Sequence, residues 1–396
     1  MKLLQQTSLV MLAGLISACG SSDNNSSGEG HEEHGLKILV SQQNSDGLSL
    51  LEEGELEALA GNLAGNGASL LLADNGEFAA ALSTNQVNFI HGAEHEEEAA
   101  VEATEEHEEA ELLAFSLAGT QVINSAGHFS ILDAGSTSFV AYDQLEQATP
   151  EVETLNLGVT ETFPALILEE AEEVFLVFAD NTATVYEAGS ATQDTQACSN
   201  PTSAIQNEEY AVFTCTQGSY AVALEEGAQE HTIEFTDLGI SGDYLWVNQG
   251  HVVVGLNQGN TQQLQVVEHN QAEVLLASAI NLADGVCALA LDSQDGDILV
   301  VNDNGQMLAL DHEGETLTTI SLDESNSPAC SHVKLSSAAK TALVLDNDAQ
   351  KLYAIDVDVE GGSYHIHERN NVAVQDVQSM VIFHDKEDAQ AHDHSH

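Results

Sequence analysis

The sequence predicts an all-β chain in which one four-stranded unit repeats around a ring, a β-propeller of about eight blades. Three observations carry this. Short apolar runs end in Asn, Asp and Gly: Leu70 to Ala73 before Asp74-Asn75-Gly76, Val174 to Phe178 before Asp180-Asn181, Val252 to Gly255 before Asn257-Gln258-Gly259, and Ile298 to Val301 before Asn302-Asp303-Asn304-Gly305. Runs of that length bounded by turn residues are strands joined by hairpins. Hairpin points at Asn44, Asn85, Asp143, Asn181, Gln217, Gln258, Asn304 and Asn347 are mostly about 36 to 46 residues apart, near the roughly 40–45 residues of a four-stranded blade. Helical periodicity is nearly absent outside a Glu/Ala segment near residue 100. A weak repeat between Asp143 and Leu155 leaves seven blades as the other count.

Taken in order, residues 1–19 are a secretory leader. Lys2 gives the positive start, Leu9 to Ile16 the apolar stretch, and Ile16-Ser17-Ala18-Cys19 resembles a bacterial lipobox whose Cys19 is lipidated. The apolar stretch is too short to span a membrane. Gly20 after Cys19, by resemblance to other lipoproteins, implies a periplasmic chain anchored through lipid to the outer membrane. Residues 20–35 read as a flexible polar tether that contains His31 and His34. The propeller occupies 36–384, its last run Val377 to Phe383 completing the blade begun at Leu36 and bringing both termini together. Residues 385–396 form an acidic tail with His392, His394 and His396.

Charge excludes whole classes of function. There are 65 Asp and Glu against 7 Lys and Arg, and no basic side chain between Lys37 and Lys334. Nucleic-acid binding needs Lys and Arg against phosphates, so it is excluded. Anionic substrates are repelled and cations drawn in. An enzyme is not expected: the single Trp246, few aromatics and scarce Arg or Lys leave little to hold an anionic cofactor or an oxyanion. A salt-adapted propeller scaffold for protein–protein contact at the outer membrane is the alternative use of such acidity.

Clustered histidines point to metal. The stretch from His91 to Glu111, HGAEHEEEAAVEATEEHEEAE, holds His91, His95 and His107 among many glutamates. Imidazole nitrogen and carboxylate oxygen are ligands that Zn²⁺ takes, four at a time in closed sites. The stretch falls in the one wide gap of the repeat, so it is a loop inserted on a rigid scaffold, where function concentrates. Its like charges four residues apart oppose a helix, and metal is expected to order it. His128, at the exit of the insert, is a scaffold ligand in this reading, with Asp133 and Glu94 as weaker carboxylate candidates. His31 and His34 form a short exchanging pair. His231, His251, His269, His312 and His332 read as structural or surface residues. Other divalent transition metals compete, Cu²⁺ foremost, because the Irving–Williams order favours it at N/O sites.

Beyond Cys19 the cysteines are Cys198, Cys215, Cys287 and Cys330. In an oxidising compartment they imply two disulfides with three possible connectivities, of which neighbour pairing is the simplest.

These residues together resemble the AztD-type periplasmic zinc metallochaperones. The resemblance rests on HEEHG at His31 to Gly35, the run LLADNGEFAAALSTNQVNFIHG, the His/acid loop after it, the strand pair that His128 opens and that ends FVAYD, and Cys198 to Cys215-Thr-Gln-Gly218. It implies a secreted propeller that holds zinc and passes it to the solute-binding protein of a zinc ABC importer; the chain itself is expected to be a monomer. The family's ligands carry over to His91, His95 and His128, and with less support to His107. Two departures stand out. Here a glutamate-rich spacer separates His95 from His107 where the family has closely spaced histidines. The turn after Cys198 reads Ser-Asn-Pro-Thr-Ser and lacks the family's histidine.

Overall fold

Apolar runs that are buried on both faces make strands with little polar alternation, and here they assemble into eight antiparallel sheets. The computed structural model describes residues 37–383 apart from 44–46, 53–54, 60–62, 64–66, 93–109, 148, 170–172, 208, 224–232, 234, 250–251, 271–272, 277–278, 293–295, 323–329, 339–340, 349, 357–364 and 370–375. Among the described residues each sheet has four strands in sequence order, with a fifth short strand, Ile280–Asn281, on the sixth. The fold is an eight-bladed β-propeller.

The first blade mixes both ends of the chain. Ile38–Gln42, Leu48–Glu52 and Glu55–Ala58 are joined by the C-terminal Val377–Ile382, which occupies the innermost place. Ile38 pairs with Ile382, and Phe383 N donates to Lys37 O at 3.0 Å. The last apolar run therefore closes the ring as its sequence suggests.

Packing follows the same repeat. Eight apolar clusters form, one between each pair of consecutive blades. The strand Phe78–Ser83 shows how: Phe78 and Ala80 face the third blade while Ala79 and Ala81 face the first. Alternate side chains of one strand thus serve two interfaces.

Seven of the eight hairpin points lie between the second and third strands of a blade, where the repeat puts them. Asp143 does not. It sits in the 3-10 turn Tyr142–Gln144 after the third strand of the third blade, whose matching hairpin is Ala134-Gly135. That blade looked weak in sequence because its fourth strand is only Glu153–Thr154.

The disulfides join Cys198 to Cys215 and Cys287 to Cys330. Each links consecutive blades, the fourth to the fifth and the seventh to the eighth, and both lie on the face where the first strand of each blade begins. We call this the lower face; the first strands end at the upper one.

Candidate metal site

The insert leaves the third strand of the second blade, Gln86–His91, and returns into the fourth, Glu111–Ala118, so it stands on the upper face. His91 and Glu111 are direct cross-strand partners and bracket it. The His91 ring stacks on Phe78 at 4.9 Å between centroids and is half-buried on the side that faces the third blade. This packing fixes an imidazole at the root of the loop.

Three chain segments depart from one place. Gly92 N donates to Glu77 O at 2.9 Å, and its α-carbon lies so close to Phe383 that a Cβ would come within 2.1 Å of the ring. Phe383 is bonded to Lys37, and Ala110, where the loop returns, packs in the same cluster as Phe383. The chain preceding residue 37, the insert and the chain following 383 therefore share a root. His31, His34, Glu94, His95, His107, the tail histidines and Cys19 lie outside the described residues, as does the expectation that metal orders the loop.

His128 opens the strand His128–Asp133 on the same upper face. Its Nδ1 lies 2.8 Å from Ala126 O, and its ring meets Phe139 edge-on at 6.5 Å. Phe139 belongs to the interface with the fourth blade. The third blade's sheet therefore stands between the His91 and His128 side chains. Asp133 ends the same strand, which places it on the lower face. His312 Nε2 is 3.2 Å from Gly296 O, and His332 Nδ1 is 2.5 Å from Asp348 Oδ1. His231 and His251 lie outside the described residues. Among the described residues no three His, Cys, Asp or Glu side chains converge as a metal centre.

One residue whose sequence context reads only as a turn stands out on the His91 side. Asp74 accepts hydrogen bonds from Asn124 Nδ2 at 3.0 Å and from the Tyr142 hydroxyl at 3.3 Å, tying the second blade to the third. Asp74 is the exposed residue of a turn flanked by buried Ala73 and Gly76, yet its carboxylate points at the buried Tyr142, and loss of solvation there pushes it up to about 6. The same contact raises the Tyr142 hydroxyl well above its ordinary value, through burial first and the Asp74 charge second. Ala73 N donates to Phe78 O, so the turn holding Asp74 is anchored on the residue against which His91 stacks.

An eight-bladed propeller with an imidazole-rooted acidic insert is the class these observations define. Comparison with solved structures gives the particular likeness. The chain is similar to AztD from Citrobacter koseri, at 14% identity and a TM-score of 0.67, covering 88% of this chain and 97% of that one. The apo form of that protein gives 13% identity, a TM-score of 0.69 and the same coverage. The dihydro-heme d1 dehydrogenase NirN, in complex with DHE, matches at 11% identity and a TM-score of 0.50, over 87% of this chain and 74% of that one. At these identities the likeness is one of fold. No protein-family model matches the chain, and no curated protein matches it.

Proposed function

We propose that the chain is a periplasmic, lipid-anchored zinc-binding protein, a metallochaperone or buffer that passes zinc to the solute-binding protein of a zinc ABC importer. Zinc here is cargo, not a resident cofactor, and no catalytic step is assigned. The observation that carries the reading is His91, packed on Phe78 opposite Glu111 at the shared root of the insert and both chain ends. His91 supplies one preorganised ligand. His95 and His107 from the insert, with Glu94 as the carboxylate, complete a four-ligand sphere that can open again, and His31 and His34 are kept as a separate exchanging pair. The propeller likeness to AztD and the two disulfides, which persist in oxidising compartments, support the same reading. His128 is left out of the primary set because a sheet separates it from His91.

Zinc titration against a competing chelator tests this. The triple variant His91→Ala, His95→Ala, His107→Ala is expected to lose at least about tenfold in affinity, a change of roughly 1.4 kcal/mol, while His128→Ala keeps it. Equal affinity in the triple variant and the parent discards the site. Negligible zinc affinity in the parent returns the chain to the salt-adapted scaffold. Transfer is read separately, by mixing the zinc-loaded chain with a metal-free solute-binding protein and following which one holds the ion.

A further inference from the structure

The two disulfides differ in their surroundings. Cys198 and Cys215 are each 2% exposed and sit inside the cluster between the fourth and fifth blades. Cys330 is exposed, in the 3-10 turn Cys330–His332, and its partner Cys287 is half-buried at the start of Val286–Leu291. Two residues on from Cys330, His332 has its ring held by Asp348 at 2.5 Å, with both side chains about half exposed, 48% and 51%. The opposite ring nitrogen is then the one directed away from that carboxylate.

The electrostatic setting also differs. A thiol reductant attacks as thiolate, and a chain with a formal charge of −58 repels anions over most of its surface. Between Lys37 and Lys386 the only basic residues are Lys334, Lys340, Lys351 and Arg369. Lys334, Lys351 and Arg369 lie in the strands Val333–Ala338, Lys351–Asp356 and His365–Arg369 of the eighth blade, the blade that Cys330 and His332 lead into. An approaching thiolate therefore meets its least repulsive sector at the exposed bridge.

We propose that Cys287–Cys330 is a thiol–disulfide exchange site for a dithiol reductant, while Cys198–Cys215 is a permanent structural bridge. A thiolate of the dithiol attacks Cys330 Sγ; the Cys287–Cys330 bond breaks, and its electron pair leaves on Cys287 Sγ, which takes up a proton from water. The second thiolate of the reductant then attacks the mixed disulfide, releasing Cys330 as a thiol and closing the reductant's own disulfide. Two electrons pass from dithiol to protein, and one covalent tie between the seventh and eighth blades opens. Lys334 and Lys351, in the strands that follow the bridge, ease approach of the anion. The site is on the lower face, opposite the insert, and does not depend on the zinc reading.

The test uses the oxidised, metal-free full chain under native conditions. Dithiothreitol is added, samples are quenched with iodoacetamide, and alkylated peptides are quantified by mass spectrometry while far-ultraviolet circular dichroism follows the fold. Cys287 and Cys330 are expected to become alkylated at least about tenfold faster than Cys198 and Cys215, with the dichroism unchanged. Reduced thioredoxin in a second arm distinguishes a protein dithiol from a small one; reduction by either supports the assignment. Bridges that open at equal rates, or only as the folded signal is lost, overturn it. The double variant K334Q, K351Q is expected to slow opening several-fold. An unchanged rate in that variant removes the role given to the basic side chains.

Discussion

At the scale of single residues, Asp74 makes the sharpest physical statement. A carboxylate with its pKa raised from 3.8 to about 6 binds a proton more tightly in the folded chain than in the unfolded one. Its contribution is favourable below pH 3.8, where it is protonated in both states, and is lost as pH rises through about 6. At pH 7.5 the folded protein carries the cost of a poorly solvated charge. Asp74→Asn, which can still accept from one neighbour and donate to the other, is therefore expected to raise Tm at pH 7.5. The gain should fade toward zero below about pH 4, the ordinary aspartate range. Thermal melts of both proteins across that interval check the sign, and a gain that grows on acidification would refute it. Nothing in Ala73-Asp74-Asn75-Gly76 announces this, because the same letters make an ordinary turn. The place of His91 at the root of the insert was legible, since an apolar run ends at it and the acidic stretch begins. The direction of His128 was not. Which face a strand residue presents depends on pairing register, and a one-residue shift reverses it.

Single elements explain why one blade of the repeat was misplaced. The hairpins Ala126-Gly127, Ala134-Gly135 and Ala188-Gly189 place both central residues at positive φ, as in type I′ turns. Reading by Asn and Asp found Asn181 and missed Ala134, whose alanine gives no turn signal although its backbone has the same shape. Alanine at positive φ costs roughly 1–2 kcal/mol, and asparagine tolerates it better. Ala188 is exposed, beside a glycine with open space around it. Ala188→Asn is thus expected to stabilise by about 0.5–1 kcal/mol in urea unfolding, with an unchanged m-value. A second device was invisible for a different cause. The first strand of the fourth blade, Glu161–Glu169, has a free edge that side chains from adjoining blades satisfy. Ser130 Oγ donates to Ala165 O at 2.6 Å, and Ala165 N donates to Thr137 Oγ1 at 3.0 Å. Ile167 N donates to Ser125 Oγ at 2.7 Å, and Gln206 Nε2 donates to Ile167 O at 2.7 Å. Ser125 also donates to Gln206 Oε1 at 2.9 Å. In sequence these are unremarkable hydroxyls. Ser125→Ala strands a buried amide and a buried carbonyl oxygen, so a loss of about 1–3 kcal/mol is expected, the cost of unsatisfied buried polar groups. Urea midpoints within error of the parent would show that water replaces the hydroxyl.

Over the whole molecule, shape and charge pull in opposite directions. Eight interfaces filled with apolar side chains and a ring closed by its two ends hold the chain together, while 65 acids against 7 bases push it apart. Composition makes both sides of this balance readable in the sequence, because blade length and net charge are sums over many residues and tolerate local errors. Self-repulsion of a compact, strongly charged chain is long-ranged and weakens with ionic strength, the screening length falling from about 10 Å at 0.1 M to about 3 Å at 1 M. Stability should therefore climb with added NaCl, steeply below about 0.2 M and then flatten as screening saturates. Zinc capture should respond the other way. The same field that strains the fold draws in divalent cations, so the association rate is expected to fall over that range of salt. Dissociation, governed by the inner-sphere ligands of the proposed site, should change little. Thermal melts beside stopped-flow zinc binding at matched ionic strengths separate the two effects. A Tm that falls with NaCl would mean that attractive ion pairs outweigh the net charge, and an association rate indifferent to salt would remove the acidic surface from any part in collecting the ion.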